Sequence, residues 1–92
     1  MSGRMFKYRV SSSTSDQVDV PMREGAVIRA VGIQGHDSSH PVIFAWAETP
    51  PGDFTVKRRF RVIGTGFDVP DPGTYIGTVF DGPFVWHVYE VA

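Results

Sequence analysis

The sequence predicts an all-β fold, a single small antiparallel β-sandwich or partly open barrel of about seven short strands. Three observations carry that expectation. The stretch Thr74–Val91 is the densest patch of β-branched and aromatic residues, and the turn Asp81-Gly82-Pro83 divides it into two strand-like runs. Short runs of the same kind recur along the chain, with turn signals every 8–12 residues. No window shows the 3.6-residue period of an amphipathic helix. A lone two-stranded hairpin is marginal in water, so the remaining segments must supply strands to cover the last one.

Met5–Val10 alternates, with Phe6, Tyr8 and Val10 on one face and Lys7 and Arg9 on the other, as in a strand buried on one side. Ser11–Ser15 is polar and reads as a solvated loop. Asp16–Val20 is a short strand that Pro21 is expected to end, since proline cannot donate to a ladder. Met22-Arg23-Glu24-Gly25 then turns the chain. Ala26–Gln34 is a third strand whose apolar parity changes between Ile28 and Val31, so a β-bulge is expected near Arg29-Ala30.

Gly35–Ser39 reads as a polar loop. His40-Pro41 leads into Val42–Ala47, the longest apolar run, with Val42, Phe44 and Trp46 on a large face and Ile43, Ala45 and Ala47 on a small one. Such a run suits a central strand covered on both sides, by the domain or by a partner subunit. Glu48–Asp53, with its Pro-Pro-Gly, is a break. Phe54–Ile63 alternates, with Phe54, Val56, Phe60 and Val62 opposite Thr55, Lys57, Arg59 and Arg61. Arg58 falls on the apolar side, which requires a bulge or a buried carboxylate partner. Gly64-Thr65-Gly66 is a tight turn or bulge, Phe67–Val69 a short extended piece, and Pro72-Gly73 fits the centre of a type II turn.

Bulk properties narrow the function classes. Ninety-two residues fit one domain, 1–92, with residues 1–4 expected to be flexible. The chain is 41% hydrophobic and 13% aromatic, so a few large rings are expected to fill a thin core. A net charge of -1 gives no global pull toward nucleic acid or an anionic membrane. Without cysteine there are no disulfides or thiolate metal sites. No apolar run approaches the ~20 residues of a membrane span. The start, Met1-Ser2-Gly3-Arg4-Met5, lacks the apolar segment of a signal peptide. The expectation is a soluble cytoplasmic protein.

Local clusters offer little chemistry. His36, Asp37 and His40 have metal-ligating side chains, but in a loop their spacing fixes no geometry. His87 shares its face with Val85, Tyr89 and Val91, whereas Glu90 points the other way, so the two form no acid–base pair within one strand. A histidine hydrogen-bonded across the sheet is the expected arrangement. Gly64-Thr65-Gly66 lacks the following helix that a phosphate loop needs. Lys57-Arg58-Arg59-Phe60-Arg61 is the one basic cluster, readable as a nucleic-acid surface or as a solvated face that guards an edge strand. No catalytic, cofactor-binding or metal residues are assigned.

Three blocks carry a resemblance: Phe60-Arg61-Val62-Ile63-Gly64-Thr65-Gly66, then Pro72–Val79 with its Tyr75-Ile76-Gly77-Thr78, then Val85-Trp86-His87-Val88-Tyr89-Glu90. Together with Val20-Pro21, Gly25-Ala26 and Ile28, they resemble a family of short uncharacterised proteins of tailed bacteriophages and prophages. The resemblance covers most of Lys7–Glu90 and is least at Ser11–Ser15 and His36–His40. It implies a phage origin, action in the host cytoplasm, and no catalytic residues to carry over. The expectation is a non-enzymatic accessory protein that binds protein, either itself, as a dimer first, or a host protein. Phe44, Trp46, Lys57, Arg59, Arg61 and Trp86 are the candidate interaction residues. The alternatives are a virion decoration or tail component, and a nucleic-acid binder through residues 57–61. No cofactor and no membrane are expected.

Overall fold

Period-two alternation builds seven strands and no helix in the computed structural model, which describes residues 3–92. The strands are β1 (Arg4–Arg9), β2 (Gln17–Arg23), β3 (Val27–Asp37), β4 (His40–Thr49), β5 (Thr55–Gly64), β6 (Gly73–Asp81) and β7 (Phe84–Val91). All pairings are antiparallel. One sheet has three strands in the order β1-β4-β3, the other four in the order β2-β5-β7-β6. They pack as an open sandwich, not a closed barrel. Contact between the sheets is concentrated where β3 faces β6. Of the segment expected to be flexible, residues 1–2 lie outside the described residues, and Arg4 opens β1.

The interior takes Val10, Ile43, Ala45 and Ala47 from one sheet and Val20, Met22, Phe60, Val79 and Val88 from the other. The expectation that large rings fill this core is corrected. Phe60 is the one buried aromatic among the described residues, while Phe54, Phe67, Phe80 and Phe84 are all exposed. On β4 the small face, Ile43, Ala45 and Ala47, is the buried one, and Val42, Phe44 and Trp46 are half-buried on the outside. A close sheet-to-sheet approach has room for alanine but not for indole.

That approach is visible at Gly77. A Cβ there would lie 2.5 Å from Val31 Cγ2 of the facing strand. The β6–β7 register shifts beside it, between Tyr75 and Gly77, as the strand bends toward β3.

Several local expectations change. β2 runs through Pro21 to Arg23, and Met22 is a core residue. The bonds Val62 N–H to Asp16 C=O and Glu24 N–H to Phe54 C=O put the even-numbered residues of this register in hydrogen bonds. The Pro21 nitrogen therefore faces away from β5, on an edge strand, where no donor is required. The bulge expected near Arg29-Ala30 is present as a register shift between Ile28 and Ala30. The expected 35–39 loop is instead ladder up to Asp37, with a second shift between Ile33 and His36 and a tight turn at Ser38, whose φ is 57°. Phe54 precedes β5 and is exposed, and Phe67–Val69 forms no strand. The type II turn at Pro72-Gly73 does not form. Asp71–Pro72 is cis, and Gly73 has no positive φ. The glycine is required there because a Cβ would meet the Pro70 carbonyl oxygen at 2.8 Å.

Ser11 is buried although its loop is polar. Its Oγ accepts from the Ile43 N–H at 2.8 Å, so the β4 backbone keeps a partner after β1 has ended.

Replacing Gly77 with valine should lower stability by about 1–3 kcal/mol, since the added carbons have no space. Val31→Ala in the same chain should restore part of that loss. Urea unfolding of the single and double variants measures both; a Gly77→Val midpoint equal to wild type would contradict the close approach.

Candidate functional site

The sequence-derived candidates lie on three different surfaces. Phe44 and Trp46 sit on the outer face of the three-stranded sheet. Lys7 Nζ lies 4.5 Å from the Phe44 ring centroid, and a Cβ at Gly32 would touch the Trp46 ring at 3.3 Å. Both rings are thus partly covered by their own sheet. Lys57, Arg59 and Arg61 line the outer face of β5. Trp86 faces inward, packed against the core at one end of the sandwich.

That end displays a group of aromatic rings. Gly64 and Trp86 are cross-strand partners. A Cβ at Gly64 would meet Phe67 at 3.3 Å and Trp86 at 3.4 Å, so both rings lie over the glycine. Phe84, two residues before Trp86 on the same face, stacks on it with centroids 6.3 Å apart and planes 27° apart. Phe67 is 74% exposed and Phe84 60%. The sequence showed Phe84 and Trp86 sharing a parity. It gave no signal that Phe67 would fold back over Gly64.

Beside these rings lies a cleft of about 380 Å³, lined by the Ser11–Asp16 loop, His40, Pro41, Ile43, Val62 and Trp86. The Trp86 Nε1–H is buried without a hydrogen-bond partner.

The basic strand is largely neutralised. Arg59 Nε donates to Asp19 Oδ1 at 2.8 Å, and Arg61 Nη2 to Asp16 Oδ2 at 3.1 Å. The hydrogen-bonded Arg59 guanidinium holds the Asp19 carboxyl below its ordinary value of 3.8, and Asp19 in turn raises Arg59. A nucleic-acid surface would need those charges free for phosphates.

Arg58 has the buried-carboxylate partner that its parity demands. Its Nε and Nη2 donate to the two Glu90 carboxylate oxygens at 2.6 and 2.7 Å, and its Nη1 donates to the Ala26 carbonyl at 2.6 Å. The clamp ties β5 and β7 to the chain where it crosses into the other sheet. Glu90 raises the Arg58 pKa further, chiefly through the hydrogen bonds.

His87 is hydrogen-bonded across the sheet, as its parity implies. Nδ1 shares a bond with Thr78 Oγ1 and Nε2 with Thr65 Oγ1, both at 3.0 Å. No carboxylate orients the ring, so this chain of hydroxyls holds the post-β5 turn against β7 and β6. His36 turns to Asp81, 2.9 Å away, and joins the β3–β4 and β6–β7 hairpins. Among the described residues no three His, Cys, Asp or Glu side chains converge on a common point as metal ligands would.

Residues 1–92 match the family described as domain of unknown function DUF7352. The chain belongs to that family. Neither the curated proteins nor the solved structures contain a match to it. The surfaces of this DUF7352 domain are an aromatic end, a neutralised basic face and open sheet edges.

Two outcomes follow for this DUF7352 domain. Glu90→Ala should destabilise it by about 2 kcal/mol, below the ~3–5 kcal/mol for a fully buried pair because both side chains are partly exposed. Arg58→Met with Glu90→Leu should recover most of that loss in urea unfolding. Asp19 ionises more readily in the folded chain than in the unfolded one. Its pairing with Arg59 therefore contributes fully above the unfolded value of 3.8 and fades as pH falls through the lower folded value. Asp19→Asn should lower Tm at neutral pH, and the difference from wild type should vanish in strong acid.

Proposed function

We propose that the protein is a non-enzymatic bacteriophage accessory protein that acts in the host cytoplasm by binding protein, a second copy of itself first and a host protein otherwise. The observation that carries this reading is the contiguous aromatic end formed by Phe67, Trp86 and Phe84. Exposed rings gathered around one half-buried indole mark a surface that gains by being covered. A two-fold dimer does this with one self-complementary patch. Next to these rings His87 is held by Thr65 and Thr78, and Arg61 by Asp16, which favours binding over catalysis. The phage setting rests on the resemblance at Phe60–Gly66, Pro72–Val79 and Val85–Glu90. The paired state of Arg59 and Arg61 favours protein over nucleic acid as partner.

Light scattering of the purified protein should give the mass of a dimer. Phe67→Ser with Phe84→Ser should give a folded monomer. A wild-type monomer at high concentration, together with no host protein retained in affinity capture from infected cells, would overturn the proposal.

A further inference from the structure

The sandwich is closed along one flank, where β3 meets β6, and open along the other, where the outer strands β1 and β2 do not pair. Three of its four edge strands are poor templates for another strand. β2 presents Pro21, whose nitrogen faces outward and has no hydrogen to donate. β3 carries two register shifts and β6 one, and these two lie against each other. β1 differs from them. It contains no glycine or proline, and its register with β4 is unbroken from Arg4 to Arg9. The Val10 N–H to Ile43 C=O bond continues that register, so the even-numbered residues bond to β4. The N–H and C=O groups of Met5, Lys7 and Arg9 consequently point off the sheet, with no backbone partner among the described residues.

Charge selects what can pair there. β1 carries Arg4, Lys7 and Arg9 and no acid. Beside it is a cleft of about 300 Å³ whose lining includes Arg4, Phe6, Arg23 and Asp53. Five arginines each have a carboxylate within 3.5 Å: Arg9, Arg29, Arg58, Arg59 and Arg61. Among the described residues Arg4 and Arg23 have none, and both line this cleft. Arg23 lies 5.5 Å from the Phe6 ring centroid, which holds the guanidinium while leaving its donors free.

We propose that the β1 edge, with the Arg4–Arg23 cleft beside it, takes an extended acidic segment of a partner protein as an added strand. Met5, Lys7 and Arg9 supply the backbone bonds. Alternate side chains of the added strand face inward to Arg4 and Arg23 or outward to Lys7, so carboxylates on either face find a cation. A second copy of β1 fits less well, because it brings no acid to these cations, and pairing centred on Lys7 sets that residue against its own copy. This deepens the protein-binding reading by naming a class of partner, and it is independent of the aromatic end.

The test is fluorescence anisotropy with the full chain and a labelled peptide that alternates glutamate and valine. That peptide should bind, and the same peptide with lysine in place of glutamate should bind at least about tenfold more weakly. Arg4→Gln, at an exposed position, should weaken binding several-fold, and Arg4→Gln with Arg23→Gln by about tenfold or more. Asp53→Asn should tighten it. N-methylation along the peptide's bonding edge should abolish it. The Phe67→Ser, Phe84→Ser protein should bind as wild type, whatever its mass in light scattering. Equal binding of the lysine peptide, unchanged binding of the N-methylated one, or loss only in the phenylalanine variant would overturn the proposal.

Discussion

The structure depends on how closely its two sheets approach where β3 faces β6. With Gly77 set under Val31, there is no depth between the layers for a stack of aromatic rings. The interior is therefore filled by alanine, valine, isoleucine and methionine around one phenylalanine, Phe60. The remaining rings are displaced to the outer faces and the ends. A chain with a high aromatic content thus has a mostly aliphatic core and a surface that displays rings.

Elsewhere, polar groups add bonds where strands end or the chain changes sheets. The Arg58–Glu90 clamp reaches Ala26 between the sheets, and Ser11 continues the ladder beside Ile43 where β1 has ended. The partly buried guanidinium and carboxylate satisfy each other and a backbone carbonyl, so neither is left with the cost of an unpaired charge. The open flank keeps one unbroken edge, β1, and the two arginines without acids gather beside it.

Cations elsewhere have a structural role. Arg59 and Arg61 each cross from β5 to an acid on or just before β2, and within the three-stranded sheet Arg29 pairs with Glu48 of β4 while Arg9 reaches across β4 to Asp37 of β3. These bonds connect strands of the same sheet on solvent-facing surfaces, where each pair contributes little alone. Together they leave the near-neutral chain with few free charges, which makes the position of the unpaired ones informative.

Much of the strand order was readable in advance. Strict alternation in Met5–Val10, Phe54–Ile63 and the last hairpin identifies strands because a side chain's face depends only on its position within two residues. The parity change after Ile28 placed the bulge, and the parity of Arg58 and His87 foretold a carboxylate partner and a cross-strand bond. Alternation is blind to which of two apolar faces turns inward. On β4 the aromatic face and the alanine face were equally eligible, and only the distance between the sheets decided for alanine. Nor does local sequence say that Pro21 lies on an edge, where a missing donor is harmless, or that Phe67 returns over Gly64 beside Trp86. Those outcomes depend on contacts between residues far apart in the chain, so the strands themselves were determined by the sequence pattern, while the surface they present was decided by how the two sheets meet.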